Sequence, residues 1–562
     1  MVLASIVEVL SIGAVAPFLA VLSSPARFYQ HPMATPVIER FGITEPQGLI
    51  LPAAILFCIG AIASGVLRYM LLVFQTRVTY AIGVDLSVAI FERTLYQPYL
   101  IHVSRNSSEV ISGISNKANE LIVSLLFPAT IIASSAIMLS VVFGVLLAIE
   151  PSITIMTVIA FSSYYALMTV FNKRRMYSVS NVIATQFGNV IKLIQEGLGG
   201  IRDILLDGTQ QTFVRSYRES ESALRQSRAT ALIMSGTPRF VIETLGTLFI
   251  TGLALHLTTN SNGLTSAIPM LGAITLASQR LIPVMQQLYS SWAAIASGRS
   301  SVADALALLE QPMPANMEHN PRQPLAFEKS IQFADVSFRY TAGSTDVLSK
   351  VNITICRGTR LGIIGETGSG KSTFLDLLMG LTTPTSGNIL IDGSPLTGHR
   401  IRAWQLQVAH VPQAIYLADS TVAENIAFGI PANEIDQERV RRAAQVAQVH
   451  EVIERLPMGY QTLVGERGAR LSGGQRQRLG IARAIYKQAR VIILDEATSA
   501  LDSETESAVM DAIHALPQRV TLVIVAHRLN TLRKCNSLIR VKSGRLEQSS
   551  DFASLLVASE GT

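Results

Sequence analysis

Leu361-Gly-Ile-Ile-Gly365-Glu-Thr-Gly-Ser-Gly-Lys371-Ser372 is the stretch on which the fold turns. Its apolar start, Leu361–Ile364, reads as a buried strand, and the residues after it, Thr373–Met379, read as a helix. Between them the G-x-x-x-x-G-K-[ST] spacing is that of a loop wrapped around phosphate. Gly365, Gly368 and Gly370, with Glu366, Thr367 and Ser369 between them, let backbone N–H groups approach phosphate oxygens. The helix start at Thr373 adds positive potential. Lys371 is expected on the β/γ phosphates and the Ser372 hydroxyl on Mg²⁺, so ATP and Mg²⁺ are the expected ligands.

A second stretch, Val491-Ile-Ile-Leu-Asp495-Glu496, is an apolar strand ending in two carboxylates. A buried parallel strand carries such carboxylates to the edge where the phosphate loop lies. Asp495 would hold Mg²⁺ through water, and Glu496 would orient and deprotonate the attacking water. The plainer alternative for Glu496 is a carboxylate capping the next helix.

Upstream, Leu471-Ser472-Gly473-Gly474-Gln475 opens a helix near Arg476. With this element the chain resembles the ATP-binding-cassette proteins. The resemblance implies that the signature of one subunit closes over the γ-phosphate held by the other. Ser472, Gly473, Gly474 and Gln475 then join the nucleotide site of a homodimer. It also implies that Tyr340 stacks on adenine, where a strand-face core aromatic is the alternative. Gln413 matches the glutamine that senses Mg²⁺ and the attacking water. Ser499-Ala-Leu-Asp502 matches the loop crossing the dimer interface, and His527 the histidine that contacts the γ-phosphate. Gln413, Glu496 and His527 are thus the expected catalytic residues, with two hydrolysis-competent sites per homodimer.

Composition explains the remainder of the chain. At 562 residues it is too long for one ordinary core. Hydrophobic residues make up 49% and charged residues only 15%, with mean hydropathy +0.37, which points to burial in a bilayer. The net charge of +6 and pI near 9.2 first suggest nucleic acid. The low charge density argues against that partner, and basic cytosolic loops beside anionic lipid account for the excess. The three cysteines, Cys58, Cys356 and Cys535, have neither zinc-site nor disulfide spacing.

Apolar runs at 3–22, 50–74, 120–148, 152–171, 238–258 and 264–295 predict six spans, each long enough for a hydrocarbon core of ~30 Å. Met1 opens into the first run without a positively charged region, so that run reads as a retained helix; relatives in the family usually place a cytosolic elbow helix before it. The polar stretches 75–119 and 172–237 carry many basic residues, among them Arg93, Lys117, Arg174 and Arg215, while the turns at Glu150-Pro151 and Thr258–Gly263 carry none. The positive-inside rule therefore puts both long stretches, the motor and both termini in the cytoplasm, in a multi-pass protein of the inner (plasma) membrane. A proline-rich linker follows. The expected organisation is a six-helix transmembrane domain of exporter type over 1–310, its helices running on into the cytosol through 75–119 and 172–237, a linker over 311–324 and an α/β phosphate-loop domain over 325–562. Strands are expected at Ile331–Tyr340, Leu361–Ile364, Val491–Leu494 and Leu522–Val525.

Six spans and one motor in a single chain resemble the exporter class. Gly465-Glu466-Arg467-Gly468 is similar to the exporter segment that touches the membrane domain, and the turns Gln97–Arg105 and Gly208–Gln211 would dock on the motor, solvated loops being the alternative. The long external segment Ser23–Gly48, with Met33, Val37, Ile38 and Phe41 at near-helical spacing, the first-span residues Glu8…Pro17-Phe18, and Pro412–Leu417 resemble flippases for lipid-linked oligosaccharides. Such a glycan pyrophosphate asks for cavity arginines. Arg68, Arg239 and Arg280 are the candidates, with pairing to Glu8 or Glu243, or snorkelling to the interface, as alternatives. A multidrug or plain-lipid exporter is the runner-up. A soluble cassette ATPase acting on ribosomes or DNA would lack the six spans.

Overall fold

The computed structural model describes residues 18, 21–22, 25–29, 38, 44–149, 151–260, 264–313, 323–341, 343–526 and 529–549. The predicted span 3–22, the external segment 23–48, most of the linker and His527 lie wholly or largely outside the described residues. The chain divides into two compact units. One comprises the chain to Gln97 together with Arg105–Met313, the other Pro98–Ser104 together with Pro314–Thr562.

Among its described residues the first unit consists of helices joined by short turns. Long helices run over Ile50–Leu95, Phe127–Ile149, Pro151–Gly199, Gln210–Asn260 and Leu264–Leu309. Pro151 sits at a first helical position, where its missing N–H costs nothing. Among the described residues two segments are long and apolar enough to cross a bilayer, Pro46–Leu95, with an 18-residue stretch of mean hydropathy 2.4, and Ala118–Gly144, with one of 2.2. The 46 residues of Ile50–Leu95 measure about 70 Å at 1.5 Å each, more than twice the hydrocarbon thickness. The apolar run 50–74 therefore marks only part of that helix. Nothing in 75–95 breaks it, and Pro98 is the first proline beyond.

Two π turns, Gly113–Lys117 and Ile122–Leu126, interrupt the third segment before Phe127. Polar contacts tie this segment and the helix Ile50–Leu95 to the last helix and the residues just after it. Lys117 Nζ lies 2.8 Å from Asp304 Oδ2, and Arg93 donates to the carbonyls of Leu309 and Gln311. Deeper in the bundle, Tyr165, Ile242, Met285 and Tyr289 pack together from three helices.

The second unit contains two sheets. The antiparallel one has the order β2-β1-β4-β5, with β1 Ser330–Phe338, β2 Leu348–Cys356, β4 Ser386–Ile391 and β5 Ser394–Pro395. The other has the order β10-β9-β3-β8-β7-β6. Its strands are β3 Arg360–Gly365, β6 Val408–Val411, β7 Val491–Asp495, β8 Thr521–Val525, β9 Ser537–Lys542 and β10 Arg545–Ser549. The strands β7 and β8 are buried almost end to end and β3 through Leu361–Ile363, as strands covered on both faces must be. Leu100, on the Pro98–Ser104 segment of this unit, packs against the core that contains Phe327, Phe374 and Trp404.

Trp404 fixes the join between that core and the helix Lys371–Leu378. It is fully buried, donates Nε1–H to Leu378 O at 2.8 Å and meets Phe327 edge-on at 5.5 Å. Trp404→Ala is expected to cost about 3–5 kcal/mol, and Trp404→Phe, which keeps most of the volume but loses the hydrogen bond, closer to ~1 kcal/mol in hydrogen bonding. Thermal unfolding of the purified variants checks this; an unchanged midpoint for the alanine variant would contradict it.

Candidate functional site

β3, β8, β7 and β6 are consecutive parallel neighbours. Parallel strands end on the same edge, so the segments that follow them emerge together. The pairs Ile363↔Val525, Leu494↔Ile524 and Val411↔Leu494 set the register. The edge therefore collects the phosphate loop after β3, Asp495-Glu496 at the end of β7 and Gln413 just beyond β6. His527 follows β8 in sequence but lies outside the described residues.

Backbone constraints shape the loop. A Cβ on Gly365 would stand 2.4 Å from the Val541 carbonyl oxygen, so only glycine lets β3 turn there. Gly370, at φ 107°, caps the helix Lys371–Leu378 from the left-handed region. Lys371 Nζ donates to the carbonyls of Gly365 at 2.7 Å and Glu366 at 2.8 Å, curling its side chain back over the loop. Glu366, Thr367, Gly368 and Ser372 are exposed, Ser369 and Thr373 buried. The Thr373 hydroxyl hydrogen-bonds Tyr340 Oη at 3.0 Å. Tyr340 stands half exposed beside the loop, edge-on to Phe338 at 5.1 Å.

The acidic side of the site is tightly drawn. Gln413 Nε2 donates to Glu496 Oε2 at 2.7 Å, and the Glu496 N–H donates to Val525 O at 3.0 Å. Glu496 takes φ 50°, an uncommon value for a non-glycine residue. Asp495 has its carboxyl pushed up by burial and by the adjacent Glu496, with Lys371 opposing. Asp376, one turn into the helix after the loop, is pushed up to about 6 by burial and then by Asp495. Sequence reasoning missed Asp376, although a lone carboxylate among Phe374, Leu375, Leu377 and Leu378 was a usable signal.

Closely set carboxylates that raise one another's pKa suit a divalent cation. The donors at hand, the Ser372 hydroxyl and the Asp495 carboxylate, are hard oxygens. No group of three or more acidic, His or Cys side chains able to cage a metal occurs among the described residues. One or two protein oxygens plus substrate phosphates is the arrangement that Mg²⁺ favours.

Ser472–Gln475 forms a capping box at the head of the helix Gly473–Tyr486. Ser472 Oγ accepts from the Gln475 N–H at 3.2 Å, and Gln475 Oε1 accepts from the Ser472 N–H at 2.9 Å. Gly473 and Gly474 lie against Ala500 and Leu501. Buried Gln477 clamps the same segment, donating to Ser499 Oγ at 3.1 Å and accepting from the Ala500 N–H at 2.9 Å. Asp502 caps the next helix, Ser503–His514, through the Thr505 N–H at 2.9 Å, which lowers its pKa. Within one chain the signature is thus packed with the Asp502 loop, and its capping hydrogen bonds close on themselves.

In the membrane unit, Arg68 is exposed on Ile50–Leu95. Arg239 Nε lies 2.7 Å from Glu243 Oε1, one of the two pairings the sequence suggested, with its side chain still 60% exposed. Arg68 and Arg239 thus stand on different helices, and the carboxylate that holds Arg239 comes from its own helix, Gln210–Asn260. Arg280 falls on the helix Leu264–Leu309, but its side chain lies outside the described residues.

Residues 348–499 match the ABC transporter family, and residues 3–268 match the ABC transporter transmembrane region. An ATP-dependent lipid A-core flippase of Chromohalobacter salexigens is 30% identical over 92% of this chain and 88% of its own length. A second, from Ralstonia nicotianae, is 28% identical over 88% of this chain and 83% of its own. The fold also resembles the structure of a bacterial Atm1-family ABC exporter with ATP bound, with TM-score 0.83 at 23% identity, covering 99% of this chain and 96% of that one. The chain belongs to the ABC transporter family: it is a membrane half-transporter of exporter fold, with a transmembrane region ahead of an ATP-binding cassette that couples ATP hydrolysis to transport.

Proposed function

We propose that two copies of this chain form an exporter that flips a lipid-linked glycan, carried on a pyrophosphate, across the inner membrane. Residues 1–310 form the membrane domain, 311–324 the linker and 325–562 the motor, with both termini and the motor cytoplasmic. The observation that carries the dimer is the division within one chain: the phosphate loop gathers with Asp495, Glu496 and Gln413, while Ser472–Gln475 packs with the Asp502 loop. A serine–glycine helix start is an anion site, and a second copy would supply the nucleotide it binds.

The roles proposed for the site residues are those expected from the sequence, supported by the grouping of the phosphate loop with Asp495, Glu496 and Gln413. Gly365–Gly370 cradle the phosphates, with Lys371 swinging from its loop carbonyls to the β/γ phosphates. Tyr340 supports adenine beside Thr373. Ser372, Asp495 and Gln413 would hold Mg²⁺, which when bound would neutralise phosphate charge. Glu496 takes the proton of the attacking water, held in orientation by Gln413, and His527 contacts the γ-phosphate. Glu496→Gln is predicted to keep ATP affinity and lower kcat about 100-fold or more. Hydrolysis at the parental rate would remove Glu496 from this role.

For the substrate, the Arg239–Glu243 pair supports the reading. A charged pair exposed on a membrane helix is costly against lipid and belongs on a polar cavity or against a partner copy. Arg68, Arg239 and Arg280 would present guanidinium groups to the pyrophosphate. Export of another lipid is the second reading, favoured by relatives that are lipid A-core flippases. In liposomes with a polyprenyl-pyrophosphate glycan, Arg239→Ala is expected to slow ATP-dependent movement between leaflets about tenfold, the loss of one charged hydrogen-bond pair. Arg239→Lys should recover part of it. Equal ATPase stimulation by the glycan, simple lipids and dyes would overturn the glycan reading.

A further inference from the structure

Glu506 is a buried carboxylate that the ATPase chemistry does not use. It lies in the first turn of the helix Ser503–His514 and is 9% exposed. Its Oε1 accepts two hydrogen bonds, from Thr498 Oγ1 at 2.9 Å and from Thr531 Oγ1 at 2.8 Å. Both threonines are themselves buried. Thr498 lies two residues beyond Glu496, and Thr531 four residues beyond His527.

The location gives these contacts their meaning. β7 and β8 are parallel neighbours paired through Asp495↔Val525, and the chain leaves each on the same edge. Beyond the pair, the Glu496 N–H bond to Val525 O is one more tie between the departing segments. From there one leads into the helix Ser503–His514, and the other passes His527 to the helix Leu529–Leu532. A buried carboxylate must be supplied with donors, so Glu506 gathers one hydroxyl from each segment onto a single oxygen.

We propose that Glu506 is a positioning residue: it locks the segment that follows Glu496 to the helix Leu529–Leu532 beyond β8, so that the base is held fast to the exit of the neighbouring strand. It does not touch substrate. The inference rests on the role given above to Glu496.

A double-mutant cycle on the full-length transporter in lipid tests it. Thr498→Val and Thr531→Val are near-isosteric and each remove one hydroxyl. Each is expected to lower kcat of the ATPase about tenfold, with KM for ATP within about twofold of the parent. Because either break severs the same link, the double variant should lose little more than the worse single one. Glu506→Gln, whose amide oxygen can accept both hydroxyls, should stay within about threefold of the parental kcat. Losses that multiply in the double variant to about a hundredfold, or parental kcat in both single variants, would overturn the proposal. So would a loss expressed in KM rather than kcat. Glu496→Gln in the same preparation separates the two readings: if it is inactive while the threonine variants turn over normally, only the link fails. If it hydrolyses normally, the assignment of the base fails first.

Discussion

Everything in the motor depends on four parallel strands that end on one edge. β3, β8, β7 and β6 are hydrogen-bonded neighbours, and their direction alone places a phosphate loop, a pair of carboxylates and a glutamine within reach of one another. Had one strand run the other way, its residue would sit at the opposite end of the sheet. The buried interior of the sheet holds that alignment, with Leu361, Ile493 and Val523 fully buried in one shared core. Chemistry at the edge is therefore a consequence of packing in the interior.

The same edge concentrates negative charge. Asp376, Asp495 and Glu496 are close enough that burial and mutual repulsion raise the first two above their ordinary range. Lys371 opposes this in part. An arrangement of this kind is poor at stabilising an empty fold and well matched to a cation together with phosphate. Glu496 adds a backbone conformation seldom taken by a side-chain-bearing residue, in keeping with the way local strain concentrates at functional positions.

Much of this was legible in the sequence, and what was not has physical causes. The glycine spacing of 365–372 and the apolar run ending at Asp495 announce themselves because short-range backbone and strand rules fix them. The strand β1 was legible too, but its partners β2 and β4, and β5 beyond β4, were not, since pairing between 330–338 and 386–391 is non-local. Hydropathy marks only 50–74, because it senses the bilayer and not the backbone, while the length of the polar stretch 75–119 leaves room for the helix to run on, as it does to Leu95. The π turns at 113–117 and 122–126 leave no trace in an apolar pattern. Glu506 looks like any acid in a first helical turn; only the parallel register of β7 and β8 reveals that Thr498 and Thr531 both reach it. Arg239 and Glu243, four apart on a helix, were by contrast a pair that spacing alone could suggest.

The central claim is that two copies of the chain complete each nucleotide site between them. Native mass measurement of the purified transporter in lipid, loaded with Mg²⁺ and a non-hydrolysable ATP analogue, addresses it directly. Two chains holding two nucleotides is the composition this account requires. A particle of one chain with one tightly held nucleotide would contradict it.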